Sequence, residues 1–155
     1  MKKNRGLKKI ILCLCLVPAV TLTLVITVLS LRGMQKGMEE EVQLGLKMLA
    51  NSAKASLGNM DEGEYCLKGD QLYKGELNLS GKQDVIDSLV ETTDAELTIF
   101  YDDTRYLTTI RDDNGEPIIG TATSDEIYQT VVKEGNIYTS KDVVINGKDY
   151  YGCYI

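Results

Sequence analysis

Residues 97–111 read Leu97-Thr-Ile-Phe-Tyr-Asp-Asp-Thr-Arg-Tyr-Leu-Thr-Thr-Ile-Arg111. Two runs, 97–101 and 105–111, are rich in β-branched and aromatic residues, and Asp102-Asp103 between them favour a turn, so the stretch is predicted as a β-hairpin. Downstream, Asp112-Asp113-Asn114-Gly115 predicts a turn. Ser124 is placed to cap a helix that turns Ile127, Val131 and Val132 inward and stops at Gly135. Ile137–Ile145 and Lys148–Ile155 flank Asn146-Gly147, a strong short-range hairpin signal. On that last strand Tyr150 and Tyr154 share one face, and Tyr151 and Cys153 the other. Upstream, Glu64–Leu67 and Gln71–Leu77 predict a small hairpin about Gly69-Asp70. Ser80 or Asp84 is expected to cap a short helix through Glu91, with Val85, Ile86 and Leu89 on its packing face. There is no internal repeat and no low-complexity tract. Antiparallel pairs mixed with helices read as an α+β class.

Further towards the N-terminus the period becomes helical. Met38, Val42, Leu46, Leu49, Ala53 and Leu57 recur at three- and four-residue steps within 34–57, and Gly58-Asn59 suit a left-handed helix end. The stripe either packs on its own domain or pairs with a second copy. Before it, the 22 residues Ile10–Leu31 hold no charged side chain, a length that spans ~33 Å as a helix and is enough to cross a bilayer. Pro18 lies inside the run and predicts a kink. Lys2, Lys3, Arg5, Lys8 and Lys9 precede it with no acidic residue, which places residues 1–9 in the cytoplasm. A cleaved signal peptide has an apolar core of only ~7–15 residues, so an uncleaved anchor is the expectation.

Charge divides in the same way. Residues 1–37 carry seven of the 17 basic residues and none of the 23 acidic ones, leaving residues 38–155 at a net charge of −13. Such a surface repels nucleic acid and anionic headgroups. The chain has no histidine, which removes the commonest general base and metal ligand. No nucleophile elbow, phosphate loop or metal-ligand spacing is present, so neither an enzyme nor a cofactor or metal is expected. Cys13 and Cys15 lie in the apolar span, and Cys66 and Cys153 beyond it are either bridged or buried free thiols. What remains is binding. Arg105, among Thr104, Tyr106, Thr108 and Thr109, has the setting to hold a carboxylate, or else forms a salt bridge to Asp102 or Asp103. Tyr150 and Tyr154 offer a face that lines a pocket.

The string 97–110, with Pro117-Ile-Ile-Gly-Thr121, Glu134-Gly135, Tyr138 and Ile145-Asn-Gly-Lys-Asp-Tyr150, resembles the extracellular Cache-type sensor domains, PAS-like in fold, of bacterial methyl-accepting chemotaxis receptors, over about residues 34–155. The resemblance implies an α+β fold in which a transmembrane helix (10–31) leads into a long helix and an antiparallel sheet with a ligand pocket on one face. It implies a single-pass protein of the cell membrane as given, a sensor domain outside, and a homodimer through the Met34–Leu57 helix. It moves Arg105 from salt bridge to ligand contact, with Thr108, Tyr150 and Tyr154 as companions and a small carboxylate or amino acid as ligand. Related dicarboxylate sensor kinases carry Arg-x-x-His, but here the fourth residue is Thr108, so that specificity does not transfer. Arg105 and Thr108 would face opposite sides of a regular strand, so joint contact requires a bulge. Such receptors continue with a further central strand, a second membrane helix and a cytoplasmic output, so a fragment whose sensor domain is poorly stable alone is expected. A histidine kinase or diguanylate cyclase would carry a similar outer domain; a pilin-like subunit is a structural alternative that Lys8 and Lys9 after Gly6-Leu7 disfavour.

Overall fold

The computed structural model describes the backbone of residues 3–155 and the side chains from Ile11 onward except Cys13. The side chains of the basic N-terminal cluster and Cys13 therefore lie outside the described residues. The chain forms two compact units, Met1–Glu41 and Val42–Ile155.

Helix α1 runs Lys3–Gly58 and contains Pro18. Pro18 has no N–H to offer Leu14 O, four residues earlier, and in the turns that follow it the threonine hydroxyls bond back to helix carbonyls: Thr21 donates to Pro18 O, Thr23 to Ala19 O and Thr27 to Thr23 O. The segment is apolar enough and long enough to cross a membrane, with a mean hydropathy of 2.4.

Within the second unit, α1 turns Leu46, Leu49, Ala50, Ala53 and Leu57 toward the domain, while Val42, Leu44 and Met48 are exposed. The helix ends without the left-handed residue expected at Gly58-Asn59, since neither has a positive φ; Asn59 N–H still bonds Ala55 O and the chain leaves in a right-handed turn.

Strands β1 (Tyr65–Lys68), β2 (Gln71–Lys74) and β3 (Leu77–Asn78) form an antiparallel sheet. The single strand expected over Gln71–Leu77 is two, because Gly75 turns the chain at φ 58. Helix α2 (Gln83–Val90) follows, and neither Ser80 nor Asp84 caps it: Lys82 holds the cap position with no side-chain bond. The Ser80 hydroxyl is committed instead to Leu72 N–H, and Asp84 sits inside the first turn. Ile86 and Val90 are its fully buried residues.

Strands β4 (Thr98–Tyr101) and β5 (Thr104–Thr108) form the predicted hairpin, and β6 (Tyr138–Ile145) and β7 (Lys148–Tyr154) form another. Asn146 (φ 50) and Gly147 (φ 72) make its turn in the mirror-image geometry that suits strand twist. Between the hairpins lies α3 (Asp125–Ile127), capped by Ser124, which runs into a π-helical turn at Tyr128–Lys133. Val132 on that turn is exposed rather than inward, because the wider winding changes which residues share a face.

The core gathers Ala53, Leu57, Leu72, Leu79, Ile86, Val90, Leu97 and Leu107. It lies among α1, β2–β3, α2 and one face of β4–β5. No residue of β6 or β7 is fully buried, and among the described residues only β2 has a partner strand on both edges.

The loop after β5 is closed by Asp112, whose carboxylate accepts the Asn114 and Glu116 backbone N–H groups and the Asn114 amide. These bonds hold its carboxyl below the usual range. A depressed folded value means that the contribution is present above the ordinary carboxylate range and lost as pH falls through the folded value. Protection of the Asn114 and Glu116 amides, measured against their intrinsic exchange rates, should therefore persist through mild acid and fall only below the ordinary carboxylate range, and an Asp112→Asn variant should be less protected at neutral pH.

Candidate functional site

The β4–β5 pairing carries a bulge: Phe100 lies opposite Arg105 and Ile99 opposite Leu107. Tyr106 is thus the extra residue, and an extra residue reverses the facing of everything after it. Leu97, Ile99, Tyr101 and Leu107 consequently share the core face, with Tyr106 stacked edge-on to Tyr101 at 6.3 Å. Thr98, Phe100, Arg105 and Thr108 share the opposite face. The bulge required for Arg105 and Thr108 to stand together is present.

Thr108 has no exposed surface, and its hydroxyl is already paired with that of Thr98 at 2.8 Å and accepts Ile110 N–H. It supports the face from beneath. Arg105 stands over the Phe100 ring, 5.4 Å from its centroid. It forms no ion pair with Asp102 or Asp103: Asp102 accepts the Tyr128 hydroxyl and Asp103 the Thr104 hydroxyl. Its Nη1 reaches Ile118 O at 3.4 Å, while its Nε is buried with no partner. Burial pulls the guanidinium down from its ordinary value and the nearby Tyr154 pushes it up, yet an arginine remains charged throughout.

The segment 117–123 lies along the outer edge of β5. Arg105 N–H donates to Thr121 O, Gly120 N–H to Arg105 O, Thr123 N–H to Asp103 O and Ile118 N–H to Ile110 O. Between these anchors the strap bows out, which brings the Ile118 carbonyl to Arg105 and leaves Ile119 exposed.

From the other hairpin, Tyr138, Ser140, Val143, Tyr150, Gly152 and Tyr154 share one face by their pairing. Tyr154 contacts Phe100 with ring centroids 6.4 Å apart and Tyr138 at 6.1 Å. Burial raises the Tyr154 phenol, opposed by the Arg105 charge, so at neutral pH it stays protonated and does not neutralise Arg105. Tyr150 lies on the same face opposite Val143, but Tyr154 carries the ring contacts to Phe100. A groove of about 390 Å³ lined by Asn51, Lys54, Val131, Val132, Ile137 and Ile155 among others contains none of these residues. The Arg105 guanidinium lies outside that groove, with its Nε buried and unbonded.

Sequence reasoning missed Phe100 and Gly152. Phe100 is the chain's one phenylalanine and lies across the turn from Arg105, a signal that was available. Gly152 has no positive φ, so its role is room: a Cβ there would sit 2.8 Å from Val143 Cγ2 and 3.0 Å from Tyr154 Cε2. Gly152→Ala is expected to displace the Tyr154 ring and cost ~1–3 kcal/mol by overpacking. Loss of the ring-current shifts between Phe100 and Tyr154 in NMR spectra would report it, and unchanged shifts would count against this role.

An antiparallel α+β unit with a helix on one sheet face and a cationic, aromatic opposite face is a PAS-like sensor fold of Cache type. The chain belongs to the single Cache domain 3 family, whose model matches residues 77–155, a range that includes every residue of the Arg105 face. Comparison with curated proteins and with solved structures gives no match. Single Cache domains are the ligand-sensing modules of receptors, and they bind small molecules.

Proposed function

We propose that this chain is the sensing part of a bacterial chemotaxis receptor: a small organic anion or amino acid binds the Arg105 face outside the cell, and the change passes down α1 through the membrane. The observation that carries this reading is the Arg105 guanidinium, half-buried in a domain of net charge −13, with its Nε unsatisfied and no carboxylate from Asp102 or Asp103 upon it. A carboxylate suits a guanidinium in charge and in its capacity for two parallel hydrogen bonds. Phe100 floors the site, Tyr154 walls it, and Tyr150 extends the wall. The reading needs no catalysis, metal or cofactor. Most of the stripe, Leu46, Leu49, Ala53 and Leu57, packs on the domain, while the exposed Val42, Leu44 and Met48 on α1 support a homodimer through the Met34–Leu57 helix. A histidine kinase or diguanylate cyclase output is compatible with the same outer domain.

Calorimetric titration of organic acids and amino acids against the full chain in detergent tests the proposal, with Arg105→Ala as control. Binding of one class that vanishes in Arg105→Ala is expected; undiminished binding in that variant removes Arg105 from the site.

A further inference from the structure

Gln43 is a half-buried residue whose amide is only half used. Its Nε2 donates to Ser140 O at 3.1 Å, while its Oε1 is buried without a donor. An orphaned buried acceptor is costly and uncommon, and its persistence calls for a reason. Its partner lies at an irregularity, because Ser140 pairs with Gly152 and Val143 with Tyr150. Two residues, Lys141 and Asp142, thus stand opposite Tyr151 alone, and the Asp142 N–H turns back onto the Ser140 hydroxyl at 3.2 Å. That is a β-bulge, which interrupts the ladder and leaves the extra residue without a ladder partner.

The two faces of the β6–β7 hairpin lead to different parts of the domain. One carries Tyr154, whose ring reaches Phe100 and the Arg105 charge. Cys153 on the other face feels the charge of Lys47 on α1. Gly152 joins them: it is paired with Ser140, and the Tyr154 ring and Val143 close over it. Tyr154 and Val143 thus both lie against Gly152, so a shift of the ring alters the packing beside the bulge that Gln43 holds.

We infer that Gln43 is the joint between the sheet and α1, an amide with two positions. In the arrangement seen here its Nε2 holds Ser140 O. In the second, the bulge shifts and its freed Asp142 N–H is taken by Gln43 Oε1. The inference deepens the sensing reading, on which its biological sense rests, by naming how the Arg105 face is coupled to the helix.

The test needs no ligand, so its failure is separable from failure of the carboxylate titration. Melting temperatures of the full chain in detergent are measured for Gln43→Met, Tyr154→Leu and the double variant, with Lys68→Met in place of Tyr154→Leu as the distant control. Sites that do not communicate add. The expected result is a double variant that departs from additivity by at least ~3 °C, with an additive control, and a Ser140–Val143 amide exchange rate changed in Tyr154→Leu. Additive shifts in both pairs would overturn the inference, even if Gln43→Met loosened the bulge, since Gln43 would then be a clamp and no joint. Should Gln43→Met fail to fold, Gln43→Asn, which keeps the amide but shortens its reach, enters the same cycle and is read in the same way.

Discussion

Arg105→Met is expected to abolish carboxylate binding while leaving the melting temperature unchanged or higher. The two effects are separate because Arg105 contributes little to the fold. Its one hydrogen bond, to Ile118 O, is long at 3.4 Å, and its Nε is shut away from water with no acceptor. Replacing a buried, poorly paired charge by an apolar chain of similar length is commonly neutral or stabilising. Methionine keeps the contact with Phe100. For a ligand the balance reverses, since each charge-assisted hydrogen bond is worth about 1.5–3 kcal/mol. Losing two corresponds to ~100-fold or more in affinity, at ~1.4 kcal/mol per tenfold. Arg105→Lys should retain a small part, because an ammonium keeps the charge and loses the fork. Paired melting and titration measurements decide the matter: a large fall in melting temperature would make Arg105 a structural residue.

Ile86→Ala should have the largest effect on stability. Ile86 has no exposed surface and sits among Leu72, Leu79, Val90 and Leu107 in the core cluster, so truncation removes buried methyl groups and leaves a cavity, at a cost of ~2–5 kcal/mol. Domains of this size have only ~5–15 kcal/mol in all. This one has reason to lie low in that range, since β6 and β7 supply no fully buried residue and the described strands form three separate small sheets. Denaturant melts should find the variant largely unfolded at 37 °C. Val144→Ala, at a site 64 % exposed, should melt like the parent.

The turns were the most legible part of the chain, for a local reason. Asn146-Gly147, Gly69-Asp70 and Asp112–Gly115 act through side-chain and φ preferences that need no distant partner, and the structure has turns at all three. Ser124 likewise caps its helix. Where a local signal faced a tertiary competitor it failed. Ser80 is a good cap by type, but its hydroxyl is taken by Leu72 N–H across the sheet. Val132 was placed inward by α-helical spacing, and a π-helical turn moved it out.

Arg105 itself was legible as a cation in an acidic domain, and the alternation rule even stated the condition for Thr108 to join it. Whether that condition held was beyond the sequence. The sequence by itself determined the charge partition, the apolar helix, the hairpins and the identity of the one arginine set among threonines and aromatics. Only the tertiary structure decided that Tyr106 bulges, that Asp102 and Asp103 bond elsewhere, and that Tyr154 folds across Gly152 to meet Phe100. Those outcomes depend on which groups compete for one another in the folded chain, as Asp102 and Tyr128 meet across 26 residues. A residue's type sets what it can bind, and packing settles which partners remain for it.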